Sequence, residues 1–485
     1  MCELDLPLKF AQKLYNEFAI RHPNAFYLRT RQRGMQNWDG KIHYITKTGQ
    51  FKIGLLPKVY DMCIEMGIKP KVVDMRQPLP KVSKVVTNIG KYKLRPEQEK
   101  AVKAVINNKI GNTPFHIGVL DYTVNAGKTL IMSSLYLSYK KQLKTLLITN
   151  DSDWLNQARE EFKQYLPGED ITFVQGKVLN WSNFTIGMVQ SISRNMRFYQ
   201  KELSQIDMVL VDEADQGGSK QYQNVITRLF NTRIRIGLSG TIYMSKLAKD
   251  KVKNMNLECF FGKVLAEFKL KDSIKKGYST KTVVKMVPGK PWYGNWESDC
   301  ISYKEIYDDS ITNCYTAWLM AYNRLLWNLN QGRYPALVVC KHIAHCENLY
   351  KFFKKKLGDA YNIAYVHVNT SSKLRQQIMK DFREGKIDIL VSTTIIARGK
   401  NFPKLRYLLN AASMDSQEKS IQFLGRLVRT DKSKKKVYLD DLHYPGPYLD
   451  RHGKHRKQYY QRQELKVILL DKLWKKHPNH SLIKS

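Results

Sequence analysis

Five short clusters in this 485-residue chain carry residue types that can act on a phosphate ester. The first is Asn125-Ala126-Gly127-Lys128-Thr129, entered by an apolar run over residues 115–120 and left by a helical pattern over 130–139, so strand, tight loop and helix are expected in that order. There Gly127 lets the backbone approach a phosphate, and the N–H groups of the new helix start face the anion. Lys128 reaches the β and γ oxygens, and the Thr129 hydroxyl can hold Mg2+. The plainer account is a turn with a solvated lysine, and Tyr122 and Asn125 stand where fuller versions of the pattern have small residues. The second cluster, Asp212-Glu213-Ala214-Asp215, ends an apolar run. One carboxylate there can bind Mg2+ through water while the next orients and deprotonates an attacking water; a helix N-cap explains only one of the three acids. The third is Gln422, Gly425, Arg426 and Arg429 on a predicted helix. Its two arginines, three apart, would share a face and neutralise charge on a triphosphate held by a neighbouring domain, or form a solvated basic face. The fourth is Arg95-Pro-Glu-Gln98, where the Gln98 carboxamide could read an adenine edge or simply be solvated. The fifth, Ser239-Gly-Thr241, says only that a strand ends in a turn.

Two series of elements must position these groups. Strand-like runs over 145–150, 184–189, 208–212 and 234–239 alternate with helical patterns, which predicts a parallel α/β sheet carrying the first two clusters at its carboxyl edge. A second series, 336–340, 363–368, 387–391, 407–410 and 437–440, predicts another α/β domain without a phosphate loop of its own. Between them, residues 266–330 are helix-rich and aromatic and are expected to form a connector, the aromatics serving as core. The expected division is 1–85, 86–265, 266–330 and 331–485.

Charge narrows the partners. The chain carries 81 Lys+Arg against 43 Asp+Glu, a net +38, which calls for a polyanion, first of all nucleic acid. No apolar run is long enough to span a membrane, and Met1-Cys-Glu-Leu-Asp5 lacks the features of a signal peptide, so an intracellular protein with no membrane partner is expected. Seven cysteines without a C-x-x-C pair fit a reducing compartment. The cluster Cys340-Lys-His342-Ile-Ala-His345-Cys346 lacks the paired spacing of a zinc site and is assigned to a strand end.

Residues 1–85 hold 15 Lys+Arg and 7 Asp+Glu, a net +8. Arg29, Arg31, Arg33, Trp38 and Lys41 interleave with Phe26 and Tyr27, a pattern that can track phosphates and stack on bases, or form a small α+β domain with a solvated basic face. The basic stretch 451–457 and an amphipathic helix expected over 465–474 either bind phosphate or close the second domain.

In this order and spacing the motifs resemble superfamily 2 helicases, and most nearly the UvsW-like phage helicases, over residues 90–445. The resemblance implies two RecA-like parallel-sheet motor domains in tandem behind a small α+β N-terminal DNA-binding domain, with ATP and Mg2+ as cofactors. By similarity, Gln98 and Arg95 meet the nucleotide, residues 125–129 form the Walker A loop, and Asp212 to Asp215 form the Walker B box. Ser239, Thr241 and Gly399 couple hydrolysis to movement, and Gln422, Arg426 and Arg429 belong to the arginine-finger helix. Gln190, Val338-Val-Cys340, Thr393 and Thr394 touch the nucleic-acid strand. The implied activity is an ATP-dependent DNA helicase that unwinds or branch-migrates forked DNA. The alternatives are an RNA helicase, since the Asp-Glu-Ala-Asp spelling is shared with RNA helicases, or a non-hydrolysing scaffold. A monomer or weak oligomer is expected, in the host cytoplasm if phage-encoded. The chain departs from the family at Asn150-Asp-Ser-Asp153, where Pro-Thr is usual although Gln157 keeps its place, and at Asn401, where many relatives have Asp.

Overall fold

The computed structural model describes all residues except 6, 32–34, 140–141, 177, 243–247, 290–301, 398–401 and 471–485. Two compact units divide the chain, Met1–Phe268 and Lys269–Ser485.

The first unit is built on an eight-stranded sheet. Its strands are β1 (Ile117–Tyr122), β2 (Thr145–Thr149), β3 (Ile171–Gln175), β4 (Val178–Leu179), β5 (Phe184–Met188), β6 (Met208–Asp212), β7 (Ile234–Ser239) and β8 (Val264–Phe268), in the order β4-β3-β5-β2-β6-β7-β1-β8. All neighbours run parallel except β4 against β3. Every residue of β1, β2, β6 and β7 is buried, as expected of strands covered on both faces and read in sequence as largely apolar runs.

The N-terminal stretch does not stand apart from this sheet. Helices Leu8–Glu17 and Leu56–Glu65 bury Leu14, Phe18, Leu55, Val59 and Cys63 in one core with Val119, Leu146 and Phe261. Gly54 marks how tightly they meet: a Cβ there would lie 2.0 Å from the Glu258 carbonyl oxygen. Lys58 pairs with Glu258 at 2.7 Å on the same seam.

The second unit holds β9 (Lys281–Pro288), β10 (Ala336–Cys340), β11 (Ile363–Val366), β12 (Ile389–Thr393), β13 (Tyr407–Asn410), β14 (Lys436–His443) and β15 (Val467–Leu469), all parallel, in the order β11-β12-β10-β13-β14-β9-β15. The interval 266–330, expected as a helical connector, therefore contributes a full strand. β9 alternates Val, Met and Lys with mostly alternate burial, a period-two signal hidden between helical stretches. Helices Tyr303–Tyr307 and Tyr315–Leu329 do pack on the core, with Tyr307 fully buried, while Tyr315 and Trp327 stay exposed.

The C-terminal part decides between two stated alternatives and corrects one expectation. The basic stretch 451–457 lies on helix Leu449–Arg462, with His452 and Arg456 turned into the core, so this face closes the unit. Arg456 is wholly buried and its Nη2 lies 2.8 Å from Asp441 Oδ1, while Asp441 also accepts from Asn410 and Tyr460. Beyond it, residues 467–469 form strand β15 beside β9 where a helix was expected, because three apolar residues in a row can finish a sheet edge as readily as a helix face. Residues 471–474 of that expected helix lie outside the described residues.

Candidate active site

The phosphate loop, the acidic cluster and the Ser239 turn leave the carboxyl ends of β1, β6 and β7, three adjacent strands, so topology alone brings them to one edge. The loop turns through two left-handed residues, Asn125 (φ 64°) and Gly127 (φ 72°). Asparagine is among the few residues with a Cβ that tolerate this region, which accounts for its place where glycine is usual. Tyr122 is no obstacle to the loop: it is the last residue of β1, fully buried, donating its hydroxyl to the Glu97 carbonyl at 2.7 Å.

Gln98 sits beneath the loop and is 1% exposed. Its Nε2 donates to the Ala126 carbonyl at 2.8 Å, and its Oε1 accepts from the Arg95 N–H at 2.8 Å, while Arg95 Nη1 reaches the Asn125 carbonyl at 3.4 Å. A Cβ on residue 127 would lie 2.3 Å from Gln98 Nε2, so Gly127 and Gln98 fit each other directly. The sequence suggested a base reader; the structure commits both ends of this carboxamide to holding the loop, leaving one N–H and one lone pair.

Lys128 and Thr129 open helix Lys128–Ser138, both half-buried. Lys128 Nζ stands 3.8 Å from Asp212 Oδ1, and Asp212 is 4% exposed. Glu213 follows in the left-handed region at φ 51°, a costly conformation for a non-glycine residue and one found disproportionately at working sites. Burial raises the Asp212 carboxyl, opposed by Lys128. Glu213 is pushed up to about 8, first by burial and then by the negative charges of Asp212, Asp215 and Asp151. Ser239 donates to Asp215 Oδ1 at 2.7 Å and lies 3.1 Å from Thr241 Oγ1, tying the turn after β7 to the acidic cluster. Sequence reasoning gave no role to Asp151, which is buried after β2 and accepts from the Trp154 N–H at 3.2 Å.

In the second unit, helix Gln417–Leu427 ends before Arg429, with Val428 as its cap. The expectation that Arg426 and Arg429 share a helical face therefore fails; Gln422 and Arg426, four apart, share it instead. Arg429 is fixed through its backbone, whose carbonyl accepts from Thr280 Oγ1 at 3.0 Å. Thr393 ends β12 and Thr394 accepts from Lys419 Nζ at 3.2 Å. Gly399 and Asn401 lie outside the described residues, as does Arg33.

Of the remaining candidates, Gln190 is half-buried and reaches the Asn150 carbonyl at 3.4 Å. Arg29 Nε donates to the Trp38 carbonyl at 2.7 Å, and Trp38 Nε1 donates to the Lys41 carbonyl at 2.9 Å. Arg31 lies over the Tyr27 ring at 4.8 Å, and Phe26 and Tyr27 are exposed beside it. In the Cys340 to Cys346 cluster both thiols are buried, and His345 Nδ1 is 3.1 Å from the Tyr307 hydroxyl, so these side chains are spent on packing.

Comparison with known proteins places this geometry. The family described as "Type III restriction enzyme, res subunit" matches residues 91–244, and "Helicase conserved C-terminal domain" matches residues 319–431. The chain resembles superfamily 2 helicases. Among its relatives, "Putative helicase 22" of Sulfolobus islandicus filamentous virus is 22% identical over 73% of the chain and 64% of its own length. The "ATP-dependent DNA helicase uvsW" of Enterobacteria phage T4 is 22% identical over 84% of the chain and 82% of its own length. The chain thus spans just under two thirds of the viral protein. In fold it matches S. cerevisiae Dbp5, solved bound to RNA and ADP BeF3, with a TM-score of 0.53, 14% identity, and coverage of 80% and 92% of the two chains. The shared architecture is two RecA-like α/β domains. Among the described residues no helix is long and apolar enough to cross a membrane.

Proposed function

We propose that this chain is an ATP-driven DNA helicase or translocase that unwinds or branch-migrates forked and branched DNA. The observation that carries the reading is the convergence, on three adjacent strand ends, of the Gly127 loop, Lys128 at 3.8 Å from buried Asp212, and Ser239 bonded to Asp215. Magnesium fits this edge: Asp212 is buried, its Oδ1 accepts no hydrogen bond, and the Thr129 hydroxyl starts the facing helix. Thr129 and, largely through water, Asp212 would hold Mg2+, which when bound neutralises phosphate charge and polarises phosphate oxygens.

In this reading the loop N–H groups and Lys128 bind the β- and γ-phosphates. Glu213 orients the attacking water and takes its proton; neutralising Asp212 removes the largest influence after burial that holds Glu213 protonated. Arg426 and Arg429 supply positive charge to the γ-phosphate in the transition state, and the Gln422 carboxamide, four residues before Arg426, adds a hydrogen-bond donor. Ser239, Thr241 and Gly399 convert loss of that phosphate into movement, and Gln190, Thr393 and Thr394 grip one strand. Differential contacts to the γ-phosphate then shift the population between two grips.

DNA is favoured by the match to most of the phage uvsW protein and by exposed Phe26 and Tyr27 beside Arg29, Arg31 and Lys41. The Asp212-Glu-Ala-Asp215 spelling and the RNA-bound Dbp5 support RNA as the second reading. The deciding experiment compares ATPase stimulation by single-stranded, duplex, forked and four-way DNA and by structured RNA. Forked or four-way DNA should stimulate most; stimulation by RNA alone would replace DNA with RNA, and hydrolysis absent under every condition would leave only a binding scaffold.

A further inference from the structure

At the amino ends of the first unit's strands, opposite the nucleotide edge, lies a cavity of about 580 Å³. Leu4, Phe51, Leu56, Cys63, Ile110 and Phe260 supply apolar wall. Into this setting β7 brings Arg235, its second residue, only 7% exposed. Arg235 Nη1 makes one long bond, 3.4 Å to the Phe260 carbonyl, and Nε makes none. Among the described residues no carboxylate pairs with it. The nearby Asp74 is taken by Arg76 at 2.7 Å and by Arg233 at 3.4 Å. Burial, with Arg76 adding to it, pulls the Arg235 guanidinium down to about 10, so the group keeps its charge at neutral pH without a counter-charge. A buried cation in that state is costly until an anion reaches it.

The mouth is apolar as well. Met1 is 82%, Val73 65%, Met75 91% and Phe230 66% exposed, and all four line the cavity. Lys52, Lys71 and Arg76 join Arg235 on the lining against two acids, Glu3 and Asp74. A small anion inside would satisfy Arg235 and leave Met75 and Phe230 wet. An occupant that reaches the guanidinium and also covers the rim must be longer, apolar at the inserted end and acidic outside it.

We propose that this cavity takes the acidic C-terminal segment of a partner protein, its last apolar side chain filling the cavity and its terminal carboxylate pairing with Arg235. Capture of a terminal carboxylate beside an apolar pocket is a recurring mode of peptide recognition, and the arginine sits where an interface concentrates its binding strength.

The test uses the full chain without nucleic acid and a fluorescein-labelled peptide of four aspartates followed by leucine and phenylalanine, with a free terminal carboxylate. Fluorescence anisotropy at physiological salt reads the affinity. Arg235→Met and amidation of the peptide terminus should each weaken binding by about tenfold or more, since each removes one half of a desolvated charge pair. Phe230→Asp, on the exposed rim, should also weaken it and does not depend on how Arg235→Met folds. Equal binding of acid and amide peptides, unchanged affinity in Phe230→Asp, or no binding to the unmodified chain overturns the proposal. The first of these would mark diffuse attraction to a chain of net charge +38.

Discussion

Replacing Arg456 by methionine should loosen the second unit far more than loss of a surface charge would. Its Nε donates to Asp441 at 2.9 Å, Nη2 to the Leu442 carbonyl at 2.9 Å and Nη1 to the Met414 carbonyl at 3.0 Å, and both Arg456 and Asp441 are 0% exposed as side chains. Methionine restores the aliphatic volume and strands Asp441 with only the Asn410 amide and Tyr460 hydroxyl as donors. Breaking one half of such a buried pair costs about 3–5 kcal/mol. In a unit of this size that lowers Tm by about 10 °C. Differential scanning calorimetry at pH 7 reads it directly. Adding Asp441→Asn to Arg456→Met should recover more than half of the loss. A Tm change under about 2 °C in Arg456→Met would refute a buried pair and return this stretch to the phosphate-binding reading.

Gln98→Ala should release the Ala126 carbonyl and Arg95 N–H, raising KM for ATP several-fold and lowering stability by about 1–3 kcal/mol in urea titrations; unchanged KM would mean the loop holds itself. His345 is buried with its pKa lowered to about 3, chiefly by burial, while the unfolded chain binds its proton near about 6.5. The unfolded state therefore takes up more protons between these values, and stability falls as pH drops through that window, by about 2 kcal/mol at pH 5 for this group. His345→Gln should flatten that part of the acid slope in urea titrations at pH 7 and 5, and an unaltered slope would contradict it. Phe26→Ala with Tyr27→Ala should weaken binding to single-stranded DNA by about 1–3 kcal/mol per stacked base with little change in DNA-free ATPase; unchanged binding in a filter assay would remove these rings from the interface.

The site was legible wherever chemistry and strand order coincide. Lys128 and Asp212 could be placed on one edge because apolar runs precede both, and a parallel sheet forces such runs to end together; Ser239 read only as a turn. Arg429 was misjudged because helix periodicity continues through Val428 on paper, while the cap ends the helix at Leu427. Gln98 looked like a base reader because residue type cannot reveal that Ala126 would stand over it. The basic stretch around Arg456 left phosphate binding and domain closure both open because its neighbours are basic and its partner Asp441 is fifteen positions away on another element. β9 was hidden by Lys281 and Lys285 alternating with its buried residues. For Gln98 and Arg456 a partner distant in sequence decided the outcome, and local pattern carries no record of it.

The central claim is that Lys128, facing Asp212 at 3.8 Å, belongs to a hydrolytic phosphate site. Single-turnover ATP hydrolysis by Lys128→Ala, with and without forked DNA, tests it most directly, alongside salt-dependent DNA binding by the same protein. Hydrolysis should fall by at least about 10²-fold while DNA binding and its salt dependence persist. Hydrolysis at the unmodified rate in Lys128→Ala would contradict the account.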